Sequence, residues 1–254
     1  MFHPFQHLSQ PPAPAAHARA VAVLPLGAME THGPHLPLAT DTLIAEGILD
    51  RVQMLDQSAE PILRLPPLWI GASAEHADRA GTVSIESETL IARIEAVGEG
   101  LSRAGVKRLL LFNGHGGNIA AALIAALKLR TRFGMLVASA HWLDYGLPPD
   151  MTAPAGAKED VHGGWIETSV MLHLAPTLVG TGAAAMPKTP GPSLFPRGPI
   201  NWGWMTSDLA PDGWIGRADL ADVALGRMMV DHAARAALAT LHELAAAAWA
   251  PKAL

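Results

Sequence analysis

The chain has 254 residues, 50% of them apolar and only 16% charged, which is ample for a sizeable core. A formal charge of -5 without any run of Lys or Arg gives no footprint for nucleic acid or an anionic membrane, and no apolar stretch has the length of a spanning helix. With no cysteine, disulfides are excluded and any metal site must be built from His, Asp and Glu.

Residues 1–19 carry prolines in every apolar segment and no basic leader region, so they read as a loose N-terminal arm rather than a signal peptide, and a cytoplasmic protein is expected. Ala20 to Leu26 is apolar without alternation, the pattern of a strand buried on both faces of a parallel sheet. A helix is expected from Thr42 to Leu55. A second apolar piece, Pro61 to Trp69, leads through "GASAEHADRAGTVSI" to a helix in which Leu90, Ile91, Ile94, Val97 and Leu101 recur at helical spacing. Ser87 is its candidate N-cap and Gly105 its candidate C′ residue. Strand "VKRLLLF", loop "NGHGGN", an Ala-rich helix from Ile119 to Thr131 and strand "GMLVASA" follow. This alternation predicts a single three-layer α/β/α domain over 20–254 with a mostly parallel sheet. The Pro- and Gly-rich stretches Gly146 to Lys158 and Met186 to Gly216 read as long loops, lids or subunit contacts, the second holding Trp202, Trp204 and Trp214. Between them "WIETSVMLHL" reads as a helix, and Ala218 to Trp249 as another.

Three clusters carry the chemistry. In "PLGAMETHGPHLPLATD", Glu30 and His32 are two apart and project from one side of an extended segment. Pro34 and Pro37 keep that loop out of helix, and Asp41 lies where the next helix begins. For Asp41 taken alone, helix capping outweighs ligation. His115 sits in the middle of "NGHGGN" at the end of a strand, where a loop built only for phosphate needs no imidazole. In "HGGWIETS", Glu167 falls in a first helical turn, where the helix dipole alone explains a carboxylate, and His162 precedes it by five residues.

Taken together, the motifs around Glu30 to Asp41, "NGHGGN" and "HGGWIETS", with "SAEH", the Gly213–Gly216 run and Gly226, resemble the creatininase (creatinine amidohydrolase) family over residues 20 to 235. The resemblance implies a creatininase-like fold and a metal-dependent hydrolase of C–N bonds with two divalent ions per chain, zinc first and manganese or iron equally suited to the donors. Carried over residue by residue, Glu30, Asp41 and His115 would hold one ion and His32, Asp41 and Glu167 the other, with Asp41 bridging and a metal-bridging hydroxide as nucleophile. His162 would be the catalytic acid that protonates the leaving nitrogen. The N–H groups of Gly116 and Gly117 are candidates to orient the carbonyl, and His76, Asn118 and Trp165 to line the substrate pocket. Relatives assemble as dimers that build hexamers, which implies a homo-oligomer with a small-molecule substrate and no nucleic-acid or membrane partner.

The match departs where it bears on substrate. Members that hydrolyse creatinine carry an aromatic residue and a Glu where this chain has Gly116 and Gly117, so creatinine itself is not expected. Trp165 stands where many relatives have Glu, and Ala80 where many have Pro. The leading expectation is hydrolysis of a small amide, formamide or cyclic amide. A peptidase trimming a short or modified peptide, and a non-catalytic metal-containing binding or assembly protein, are the alternatives.

Overall fold

The computed structural model describes residues 2–8, 19–58, 60–157, 160–181, 202–210 and 212–249. Strand β2 (Val21–Leu26) carries no polar side chain and is buried along its whole length, as is its neighbour β4 (Arg108–Asn113). Such strands need cover on both faces. The sheet has the order β1-β3-β2-β4-β5, every pair parallel, with β1 at Phe2–Pro4, β3 at Ile62–Arg64 and β5 at Leu136–His141.

The pleat sorts the core into two halves. Val21, Val23, Leu110 and Phe112 point to the face covered by α1 (Thr40–Leu55), α4 (Trp165–Leu174) and α6 (Val223–Ala246). Ala22, Leu24, Leu109 and Leu111 point to the opposite face, covered by α2 (Ser87–Arg103) and α3 (Ile119–Phe133). This is the three-layer α/β/α domain with a parallel sheet that the alternation of strand and helix predicts. The chain leaves β2 toward β3 through α1 on one face and leaves β4 toward β5 through α3 on the other. The crevice between the β2 and β4 loops is therefore the topological switch point, where open α/β sheets bind ligands.

The local departures have physical causes. The expected loose arm begins with β1, in which Phe2–Pro4 pair in parallel with Ile62–Arg64; residues 9–18 lie outside those described. The apolar piece from Pro61 yields only the three-residue β3, since Pro66 and Pro67 lack the N–H that pairing needs. Ser87 opens α2 as its first helical residue, and the N-cap is Glu86, whose side chain makes no cap bond. Gly105 closes α2 as expected: with φ +84°, it donates to the Ser102 carbonyl while Val106 donates to that of Leu101, a Schellman end. The C-terminal tail starts with a single 3-10 turn before Asp222 caps α6 through the N–H groups of Ala224 and Leu225 at 2.7 and 3.1 Å. Of the long loop from Met186, residues 186–201 and 211 lie outside those described, and Thr206–Leu209 form a short helix, α5. Among the described residues no helix is long and apolar enough to cross a membrane.

Candidate metal centre

The β2 loop is built to turn three side chains inward. The Glu30 N–H bonds the Leu38 carbonyl at 2.9 Å and closes the loop on itself, while Met29 and Val83 form an isolated bridge that fixes its outer side. Asp41 lies in the first turn of α1, one residue past the first helical position, and Ala39 is the N-cap. Its carboxylate therefore does not cap the helix but points into the crevice.

Around Asp41 the three sequence clusters meet. Asp41 Oδ1 is 3.2 Å from His32 Nε2, and Oδ2 is 3.2 Å from His115 Nδ1. Glu30 Oε1 lies 3.2 Å from His115 Nδ1 and 3.3 Å from His76 Nε2. Glu167 Oε2 accepts from the Gly163 N–H at 2.6 Å and stands 3.9 Å from His32 Nε2. The helix-terminus role and the approach to His32 thus coexist. Glu30, Asp41 and His115 form one group whose ligand atoms all lie within 4.8 Å of one another, and His32, Asp41 and Glu167 form another. A third such group, Glu30, His32 and His162, brings the expected acid into the same cluster.

The imidazoles are aimed by acceptors that cannot donate. His32 Nδ1 donates to the Glu30 carbonyl at 3.2 Å, His115 Nε2 to the Ala72 carbonyl at 3.0 Å and His162 Nε2 to the Thr31 carbonyl at 2.6 Å. The opposite nitrogen of each ring faces Glu30 or Asp41. Lone pair and carboxylate at such distances repel unless a proton or a cation lies between them. Glu30 Oε1 and Oε2, His32 Nε2 and Asp41 Oδ2 are buried and make no hydrogen bond, an arrangement too costly to persist without a charge partner. The cluster can hold metal, and its oxygen and imidazole donors suit Zn, Mn or Fe.

Protons do this work in the metal-free chain. Burial alone would lower His32, but the negative charge of Asp41, with those of Glu167 and Glu30, raises it to about 10. His115 likewise rises well above its ordinary value against burial, through Glu30 and Asp41. Burial raises Glu30 to about 7 even though His115 opposes it. Burial, with neighbouring imidazoles, drives His76 down to about 3 and His162 well below its usual range. Because a ligand nitrogen must be bare, metal uptake at pH 7 displaces protons from His32 and His115, and affinity rises with pH toward about 10. Calorimetric titration with Zn in buffers of different ionisation enthalpy is expected to show this release; uptake without proton release would refute it.

The cluster opens into a cavity of about 960 Å³ lined by Asp41, His76, His115, Gly116, Gly117, His162 and Glu167. Two expected pocket residues are not there. Trp165, the first residue of α4, turns into the core, and Asn118 is a clamp, accepting from the Ala72 N–H at 2.9 Å and donating to the Gly27 carbonyl at 3.0 Å. The aromatic wall instead comes from Trp202 and Trp204, flanked by Met205 and Asp208. Glu75, which lies in "SAEH" but is not among the expected site residues, also lines the cavity and places Oε1 3.3 Å from His115 Nε2.

Comparison with known proteins follows the same lines. The creatininase family model, described as creatinine amidohydrolase, matches residues 6–241. The chain is 37% identical over 227 residues to the mycofactocin precursor peptide peptidase of Mycobacterium tuberculosis, covering 84% of this chain and 82% of that one. It is 32% identical over 186 residues to the creatinine amidohydrolase of Pseudomonas putida, covering 66% and 69% of the two chains. A mutant creatininase of Zn-Zn type superposes with a TM-score of 0.70 at 25% identity, over 90% of this chain and 92% of that one. The chain belongs to the creatininase family and is a metal-dependent hydrolase of C–N bonds.

Proposed function

We propose that the chain is a dinuclear metallopeptidase that cuts a C–N bond in a short or modified peptide. Asp41 is the observation that carries the dinuclear reading: its two oxygens face different imidazoles at 3.2 Å each, so one carboxylate serves two ligand groups. Glu30, Asp41 and His115 would hold one ion and His32, Asp41 and Glu167 the other. Bound there, two divalent ions would supply Lewis acidity and a water that ionises near neutral pH.

The substrate class is argued from the cavity and the relatives. A volume of about 960 Å³ is at the upper end for a drug-sized ligand and far exceeds a single small ring. Ala120 and Leu123 of α3 line it, and Ile124 and Leu127 extend that apolar stripe outward, exposed at 50% and 65%. A peptide chain has the length to use such a wall; a small cyclic amide does not. The peptide peptidase of Mycobacterium tuberculosis matches more of this chain, at higher identity, than the creatinine amidohydrolase does. These observations favour the peptidase reading over the small-amide one.

In the reaction this reading requires, the N–H groups of Gly116 and Gly117, which line the cavity, would orient the scissile carbonyl. His162 presents a bare Nδ1 toward Glu30 at 3.7 Å, so it must first take up a proton before it can deliver one to the leaving nitrogen. The test is metal content per chain together with turnover of short peptides, formamides, cyclic amides and creatinine by one preparation. Close to two Zn or Mn per chain with cleavage of peptides alone is expected. Turnover of cyclic amides without peptides would overturn the substrate class, and a single ion in the active protein would overturn the dinuclear centre.

A further inference from the structure

His76 is the one imidazole of the cluster whose outer nitrogen is not held by a backbone carbonyl. Its Nδ1 lies 2.5 Å from Thr206 Oγ1. The Thr206 hydroxyl is itself committed, since it donates to the Glu75 carbonyl at 2.9 Å and a carbonyl can only accept. Thr206 Oγ1 can then only accept from His76, and the Nδ1 of His76 must carry the hydrogen. Thr206 is fully buried in the first turn of α5, so no water competes for this bond.

We propose that Thr206 is a positioning residue that holds the Nδ1–H of His76 outward, so that Nε2 is the nitrogen turned to Glu30 and the cavity, free to accept a hydrogen bond from the substrate when the Glu30 carboxylate is taken up by a metal ion. The orientation is the one that carbonyls impose on His32, His115 and His162, but here a side-chain hydroxyl imposes it. Nε2 stands 3.3 Å from Glu30 Oε1, and the ring stacks on His162 with centroids 4.0 Å apart and meets Trp204 edge-on at 6.0 Å. The same segment is tied down a second time, where Arg79 Nη2 donates to the Ala210 carbonyl at 3.2 Å. The wall that carries Trp204 and Met205 and the ring that faces the cluster are therefore one mechanical unit.

An acceptor at this point selects substrates by chemistry. It receives an N–H or O–H, as a peptide or other amide with a free N–H provides, and it rejects groups that offer only lone pairs. The substrate part of this inference rests on the hydrolase reading of the cavity; the tautomer does not.

The tautomer is therefore read first, in the metal-free protein without substrate, by long-range proton–nitrogen correlation of nitrogen-15-labelled histidine, with His76 assigned from the spectrum of H76Q. In the wild type Nδ1 is expected at a protonated-ring shift, with Nε2, which faces Glu30, nearer than Nδ1 to the bare-ring value. T206V, which keeps the shape and loses the acceptor, is expected to move both toward averaged values, while T206S, which keeps the hydroxyl, restores the wild-type pattern. Unchanged His76 shifts in T206V, or a T206S spectrum like that of T206V, would overturn the proposal. Should T206V fail to fold, wild type and T206S still decide, because a bare Nδ1 in either refutes it. With a cleaved peptide in hand, T206V should raise KM about tenfold with a smaller change in kcat, as loss of a substrate contact does. A change confined to kcat would refute the acceptor role while leaving the hydrolase intact.

Discussion

Replacing Asp41 by Ala is expected to empty both metal positions at once and to lower turnover by about three orders of magnitude, roughly 4 kcal/mol of lost transition-state stabilisation. The two Asp41 oxygens face His32 and His115 separately, so no other single side chain belongs to both groups with a different oxygen in each. E167Q and H115A serve as the comparison, because each touches one group only and should lose one ion while keeping the other. The metal-free D41A protein should also melt at a lower temperature than metal-free wild type. In the wild type the buried Asp41 carboxylate faces two imidazoles that hold protons, and removing one partner of a buried ion pair costs about 3–5 kcal/mol. Metal analysis and thermal melts on the same preparations decide the matter. A D41A protein that retains one tightly held ion would show that Asp41 does not bridge.

How much of this site can be read in the sequence depends on which forces act locally. Glu30, His32 and His115 sit on loops that leave strong apolar strands, so pattern alone places them at strand ends, whereas Asp41 and Glu167 lie in first helical turns and only the resemblance to the creatininase family joins the five into one site. The apolar runs of β2 and β4 and the helix at Trp165–Leu174 are equally local, and the structure places them within a residue or two of expectation. The three-residue β1 and β3 carry no period long enough to detect.

Trp165 is a different case, because helix geometry alone sets its direction. Residues two apart on an α-helix point about 200° from one another, so a helix that turns Glu167 toward the cluster must turn Trp165 into the core. Asn118 carried no comparable warning. Its partners, Ala72 and Gly27, are 46 and 91 residues away, and only the assembled loops give the side chain its clamping role. The bond between Thr206 and His76 spans 130 residues and is invisible to any spacing argument.

Gly117 shows how tightly the assembled loops constrain one another. A Cβ added there would press on the Ala72 carbonyl oxygen, on Glu75 Oε1 and on His115 Nε2, all inside contact distance. Ala72 O is backbone and is the acceptor that aims His115, so it cannot yield without turning the ring. The carboxylate of Glu75 already fills the direction in which a side chain at 117 would grow. G117A is therefore expected to leave the fold intact but to rotate His115 away from Glu30 and Asp41, weakening metal affinity about 10–100-fold, the usual effect of disturbing the groups that orient a ligand. G117E should likewise bring no creatinine hydrolysis, because the space for its carboxylate is taken by Glu75. The control is G100A on α2, where an added Cβ meets nothing within 4 Å and should stabilise the helix by about 0.5–1 kcal/mol. Competition against a zinc-sensitive dye measures the affinities. G117A protein that binds zinc as tightly as wild type would mean that the loop can shift without moving His115, and that its glycine is not what holds the ligand in line.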